Sequence, residues 1–155
     1  MKTRKHICST ELNASVERVF DLLCRPSAIR SWWCATAAIV DPRTGGTWIA
    51  AWGPEDEPDY ITSATIKVFD PPRRIVFHDY KYFARSGSLP FEANFSTEFC
   101  VEAVGCQARL TVTQDGFPAD PIADEFYAGC ELGWRNTFEG IRKYVEHGAD
   151  SGSGK

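Results

Sequence analysis

The side chains whose types could support nucleophilic, acid–base or metal chemistry are three histidines and six cysteines, and their spacing argues against most of it. His6, His78 and His147 are scattered over a predicted first strand, a middle strand and a helix end. A histidine with no positioned partner is a solvated or satisfied side chain rather than a base. Cys8, Cys24, Cys34, Cys100, Cys106 and Cys130 lack the close pairs of tetrahedral zinc sites, since the nearest two, Cys100 and Cys106, have five residues between them and flank a turn. They read as buried free thiols, because a chain of this length needs no disulfide to stay folded. No nucleophile elbow and no phosphate-cradling glycine loop occurs. No catalytic residue is therefore assigned, and no metal or cofactor is expected. What stands out is aromatic: five Trp, five Tyr and ten Phe. Such a set can fill a core with its own rings or wall a cavity for an apolar ligand.

The elements that must position these rings follow from periodicity. A short, partly alternating stretch over 5–12 predicts a strand. A helix follows, with Asn13 as its cap, Glu17 in its first turn and Val16, Val19, Phe20 and Leu23 at helical spacing, and it stops before Pro26. A second helical piece at 27–31 brings Trp32 and Trp33 against the body. From there to Asp115 the pattern becomes that of an antiparallel meander, with strands expected over 36–40, 47–52, 61–70, 73–80, 94–103 and 106–115. The chain then turns helical from Asp120 to His147, with Pro121 in the first turn. Tyr127, Trp134, Phe138, Ile141 and Val145 share one face of that helix, which must lie on the sheet. Gly129, Gly133 and Gly140 on the same helix leave two readings open: close backbone packing, or room for a ligand.

Composition narrows the function classes. Across 155 residues, 43% are hydrophobic and 25% charged, with a net charge of −4, as in an ordinary globular domain. The acidic balance and the absence of a basic block argue against nucleic acid. The longest apolar run, Trp48 to Trp52, is far short of a membrane span. Polar Cys8 to Glu11 follow the charged start, so no signal peptide is read and a cytoplasmic setting is expected. One domain over 1–147 and a disordered tail over 148–155 are expected.

The order of elements, together with Asn13-Ala-Ser-Val-Glu-Arg-Val-Phe20, Trp33, Asp41-Pro-Arg-Thr-Gly-Gly-Thr-Trp48, Asp70-Pro-Pro-Arg-Arg74, Gln114-Asp-Gly-Phe-Pro118 and Gly133-Trp134, resembles the START-like (SRPBCC, birch-pollen-allergen-like) superfamily. Within it, the chain is similar to homologues of the C-terminal domain of the activator of the heat-shock protein 90 ATPase, over about residues 5–147. The resemblance implies an α+β helix-grip fold: a curved antiparallel sheet of about seven strands wraps a long C-terminal helix, with two short helices after the first strand and a cavity between sheet and helix.

Strand parity then names the wall. If Trp48 faces the long helix, so does Trp52. The family pattern turns Phe77 and Asp79, Phe95 and Phe99, and Gln114 the same way, and Trp32 or Trp33, Tyr127, Trp134 and Phe138 close the space. An inward carboxylate at Asp79 would bind a polar ligand group; a one-residue slip of register would expose it instead. The resulting expectation is a small binding protein for a hydrophobic or aromatic molecule or lipid, as a monomer or homodimer. Two alternatives stand beside it: a chaperone-associated module with a stress-related role, like the family's namesake, and a cyclase- or dehydratase-like enzyme using the same cavity.

Overall fold

Backbone is described for residues 2–153 and side chains for 2–147 in a computed structural model. The tail expected at 148–155 lies outside the described side chains. Strand β1 spans Thr3–Leu12, and helix α1, Val16–Cys24, follows a tight turn. Ser15, rather than the expected Asn13, caps α1, its hydroxyl accepting the Arg18 N–H at 3.1 Å. The Ala14 N–H is held by the Leu12 carbonyl at 2.9 Å in the turn that precedes the helix. Helix α2, Pro26–Trp32, starts on a proline that needs no donor there, and the Trp32 indole N–H donates 2.9 Å to the Leu22 carbonyl of α1.

Six strands follow: β2 Ala37–Val40, β3 Thr47–Trp52, β4 Tyr60–Asp70, β5 Arg74–Ala84, β6 Ser96–Val104 and β7 Gln107–Pro118. They form one antiparallel sheet in the order β1-β7-β6-β5-β4-β3-β2. The first strand thus joins the last, and its neighbours in sequence end at the opposite edge. Asp120 does not cap the long helix directly. Its carboxylate accepts the Ile122 N–H at 2.9 Å and closes a single 3-10 turn, Pro121–Ala123, after which α3 runs over Asp124–Ser153. The curved sheet gripping α3 is the helix-grip arrangement expected from the sequence. Ile66, Ile75, Leu110 and Val112 from the sheet meet Phe138, Ile141 and Val145 of α3 and Val19, Leu22 and Leu23 of α1 in one core.

One irregularity overturns a sequence expectation. Between the pairs Ser63 with Lys81 and Thr65 with His78, two residues of β5, Asp79 and Tyr80, oppose Ala64 alone. This is a β-bulge. Asp79 takes it up with a left-handed backbone, φ +54°, a conformation aspartate tolerates better than most residues. The bulge reverses parity, so Asp79 turns to solvent with its side chain 68% exposed and Tyr80 turns inward. Asp79 is therefore not a cavity residue, and β5 continues to Ala84 rather than ending at Tyr80. The six cysteines are all free; Cys34 and Cys106 are exposed and Cys8, Cys24, Cys100 and Cys130 are half-buried, so the expected burial is not met in full at any of them.

Candidate functional site: an aromatic cavity between sheet and helix

A cavity of about 280 Å³ lies between the sheet and the first half of α3. Its centre is built on Trp33, whose ring lies 5.1 Å from Trp32, 5.6 Å from Trp48, 5.1 Å from Trp52 and 6.1 Å from Trp134. All five tryptophans of the chain thus converge on one space. Trp52 is fixed from behind, its indole N–H donating 3.0 Å to the Trp33 carbonyl. Phe77 continues the wall from Trp48 at 5.4 Å, and Phe99 bridges Phe77 and Trp134 at 6.0 and 5.8 Å. Phe95, just before β6, and Gln114 of β7 complete the set of expected residues that line the cavity.

A family model described as "Activator of Hsp90 ATPase homolog 1-like protein" matches residues 13–146. The chain belongs to this family. Among solved structures, MLL2253 from Mesorhizobium loti superposes with a TM-score of 0.75 at 15% identity, covering 93% of this chain and 98% of that one. Mll3558 from Rhizobium loti gives 0.73 at 22% identity, over 92% and 96% of the two chains. DynU16, a protein in the dynemicin biosynthetic locus, gives 0.72 at 16% identity over 93% of this chain but 48% of its own. These likenesses carry the fold. No match is found among the curated proteins. Among the described residues, no helix is long and apolar enough to cross a membrane.

In this Hsp90-activator-like domain, two further expected residues sit away from the cavity. Tyr127 stacks on His6 at 3.8 Å, donates its hydroxyl hydrogen to the Lys5 carbonyl at 2.8 Å and lies beneath the Arg4 guanidinium at 4.4 Å. It therefore anchors α3 to β1. Phe138 is buried 6.2 Å from Trp134, inside the core beyond the cavity. The helix face that does line the cavity is Phe126, Cys130, Gly133, Trp134 and Thr137. That stripe has helical spacing of its own, one position out of phase with Tyr127, and is the signal by which Cys130 and Thr137 could have been found. The glycines divide between the two readings left open. A methyl group on Gly140 would lie 2.5 Å from the Trp32 carbonyl, so Gly140 serves close packing, whereas Gly133 faces open space in the cavity wall.

Sequence reasoning also missed Tyr80 and Tyr82, whose inward facing depends on the bulge, and Leu23, Thr62 and Leu89. The Tyr80 hydroxyl donates 2.7 Å to Thr97 Oγ1, and the Trp134 indole N–H donates 2.6 Å to Gln114 Oε1. Trp48 Nε1 is buried without a partner, beneath the rings of Trp33 and Phe77. Among the described residues, no Asp, Glu, Lys, Arg or His lines the cavity. Its titratable groups are held neutral: burial pushes the Cys130 thiol up to about 11 and drives the Tyr80 hydroxyl well above the usual phenol range. Burial raises Tyr82 as well, helped by Tyr60. The histidines stand apart, His6 donating from Nε2 to the Tyr127 carbonyl at 2.7 Å and His78 lying 3.6 Å from Asp79. Among the described residues, no three His, Cys, Asp or Glu side chains gather as metal ligands.

Proposed function

We propose that the protein binds an uncharged, largely aromatic small molecule in this cavity. The observation that carries the reading is the combination of an open space of about 280 Å³ with a wall of rings and no charged side chain. A cavity of roughly 150 Å³ already accepts benzene, so the volume suits a molecule of about two fused rings. An isolated carboxylate or ammonium would lose its hydration there without gaining a partner. Family membership agrees with an apolar ligand, and a long-chain lipid fits the small volume less well than a compact ring system.

The enzyme reading is weaker because general acid–base catalysis needs a group that exchanges a proton near the working pH, and the wall holds its phenols and thiol protonated. The chaperone reading asks for a continuous exposed apolar patch; the exposed Ile7 and Ile39 stand on the two opposite edge strands, and the exposed Tyr60, Tyr82 and Phe83 gather at one end of β4 and β5, where Tyr82 also lines the cavity.

Mass spectrometry of protein purified under native conditions, followed by thermal denaturation with a library of neutral aromatic compounds, tests the proposal. Ligands that bind the native state raise its apparent stability, by about 2.7 kcal/mol at a hundred times Kd. A library that moves the midpoint nowhere, with no molecule co-purifying, overturns the reading.

A further inference from the structure

We propose that Gln114 and Thr97 form a hydrogen-donor pair in the cavity floor that selects ligands with a neutral carbonyl oxygen on an aromatic ring system. The proposal rests on the ligand-binding reading above and names the chemical class that this site would prefer.

The two residues are direct cross-strand partners on β7 and β6, and both line the cavity. An indole nitrogen can only donate, so the Gln114 atom 2.6 Å from Trp134 Nε1 must be the amide oxygen. This fixes the side-chain orientation and leaves the amide nitrogen, with two hydrogens, turned elsewhere. It has no protein partner among the described side-chain hydrogen bonds. Among the described residues, Trp48 Nε1 is the one side-chain nitrogen or oxygen both buried and partnerless, so the Gln114 amide nitrogen is not sealed in protein, and its side chain lines the cavity. Tyr80 donates to Thr97 Oγ1, and two hydroxyls sharing one hydrogen bond leave one hydrogen unused, here that of Thr97.

The floor therefore presents spare hydrogens, while the Gln114 oxygen and one lone pair of Thr97 are already engaged. A ligand group that accepts fits it. A carboxylate would also accept, but no cation in the wall offsets its desolvation. A carbonyl oxygen meets both conditions, and the rings of Trp33, Phe77 and Phe99 suit a flat skeleton attached to it.

The test uses three probes of one shape: α-tetralone, tetralin, which lacks the carbonyl, and tetralin carboxylate, titrated by tryptophan fluorescence. The native protein is expected to bind α-tetralone roughly tenfold more tightly than tetralin, the scale of one or two neutral hydrogen bonds, and the carboxylate more weakly than either. In Gln114→Met the tetralone-to-tetralin ratio is expected to fall towards one, and in Thr97→Val to fall part of the way. Equal affinities of the native protein for tetralone and tetralin overturn the donor pair while leaving ligand binding intact. Binding of none of the probes overturns the donor pair and counts against the ligand reading as well. If Gln114→Met fails to fold by circular dichroism, the native ratio and Thr97→Val decide the matter.

Discussion

Gly140 of α3 lies against the main-chain carbonyl of Trp32, so close that a Cβ would sit 2.5 Å from that oxygen. The contact brings α3 down onto the end of α2 and so sets the depth at which Trp32 and Trp33 enter the cavity. Alanine is normally the better helix former by about 1 kcal/mol. Here the clash is with backbone, which cannot swing aside. Gly140→Ala is expected to destabilise the protein by about 2 kcal/mol, while Gly129→Ala, which meets nothing within 4 Å, is expected to stabilise it by about 0.5–1 kcal/mol. Urea denaturation of the two variants checks the opposite signs.

Trp134 should be costly to truncate, since it is 9% exposed and touches Trp33, Phe99 and Phe138. Trp134→Ala is expected to lose about 3–5 kcal/mol, as other large core truncations do. Trp134→Phe keeps a ring and loses the bond to Gln114, so it should lose less, about 1–2 kcal/mol. Equilibrium unfolding that shows under 1 kcal/mol for the alanine variant contradicts this placement.

Asp79 should matter through its backbone and not its charge. Asp79→Gly is expected to be neutral or stabilising by up to about 1 kcal/mol, because glycine adopts positive φ freely. Asp79→Val is expected to lose about 1–2 kcal/mol, the cost of a β-branched residue in the left-handed region. Asp79→Asn should leave ligand affinity unchanged. A change in affinity for that variant, read by the same fluorescence titration, would return Asp79 to the site.

The half-buried thiols set a pH dependence. Burial raises Cys130 to about 11, and burial with the nearby Asp21 carboxylate raises Cys24 to about 12, from an ordinary value of 9.0. The folded state thus keeps protons that the unfolded chain releases. Their contribution is full below about pH 9 and falls as pH rises towards 11 and 12. Because the thiolate is the reactive species, alkylation of native protein at pH 8 should modify exposed Cys34 and Cys106 first. Cys130 should lag an ordinary accessible thiol by roughly a hundredfold. Peptide mapping over a time course measures the order.

The elements were legible because each carries its own period: alternating residues made the strands of the meander, and Trp134, Phe138, Ile141 and Val145 marked the inner face of α3. Parity could be carried along β3 from Trp48 to Trp52 because no residue is inserted between them. It could not be carried past Phe77, since the bulge at Asp79 and Tyr80 depends on pairing with β4, and a single strand contains no mark of its partner's register. Tyr127 illustrates a different limit. Its position satisfied the helical stripe, yet the face it occupies is claimed by His6 and Arg4 from β1, a strand more than a hundred residues earlier. Whether the rings would fill the space or enclose it was also hidden, because that depends on side-chain volumes summed across eight elements.

The pairing of β1 with β7 has a consequence for how the chain is made. Leu12 pairs with Ala108 and Thr3 with Pro118, so β1 leaves the ribosome about a hundred residues before the strand it pairs with. Closing so long a loop is slow compared with forming the hairpins from β2 to β7. Translation therefore leaves the outer edge of β7 bare until β1 swings back across it, and β1 meets the cavity helix through Tyr127 at the same late step. Shielding of that transient edge during synthesis, by a chaperone or by speed, is a demand that the topology itself places on the cell.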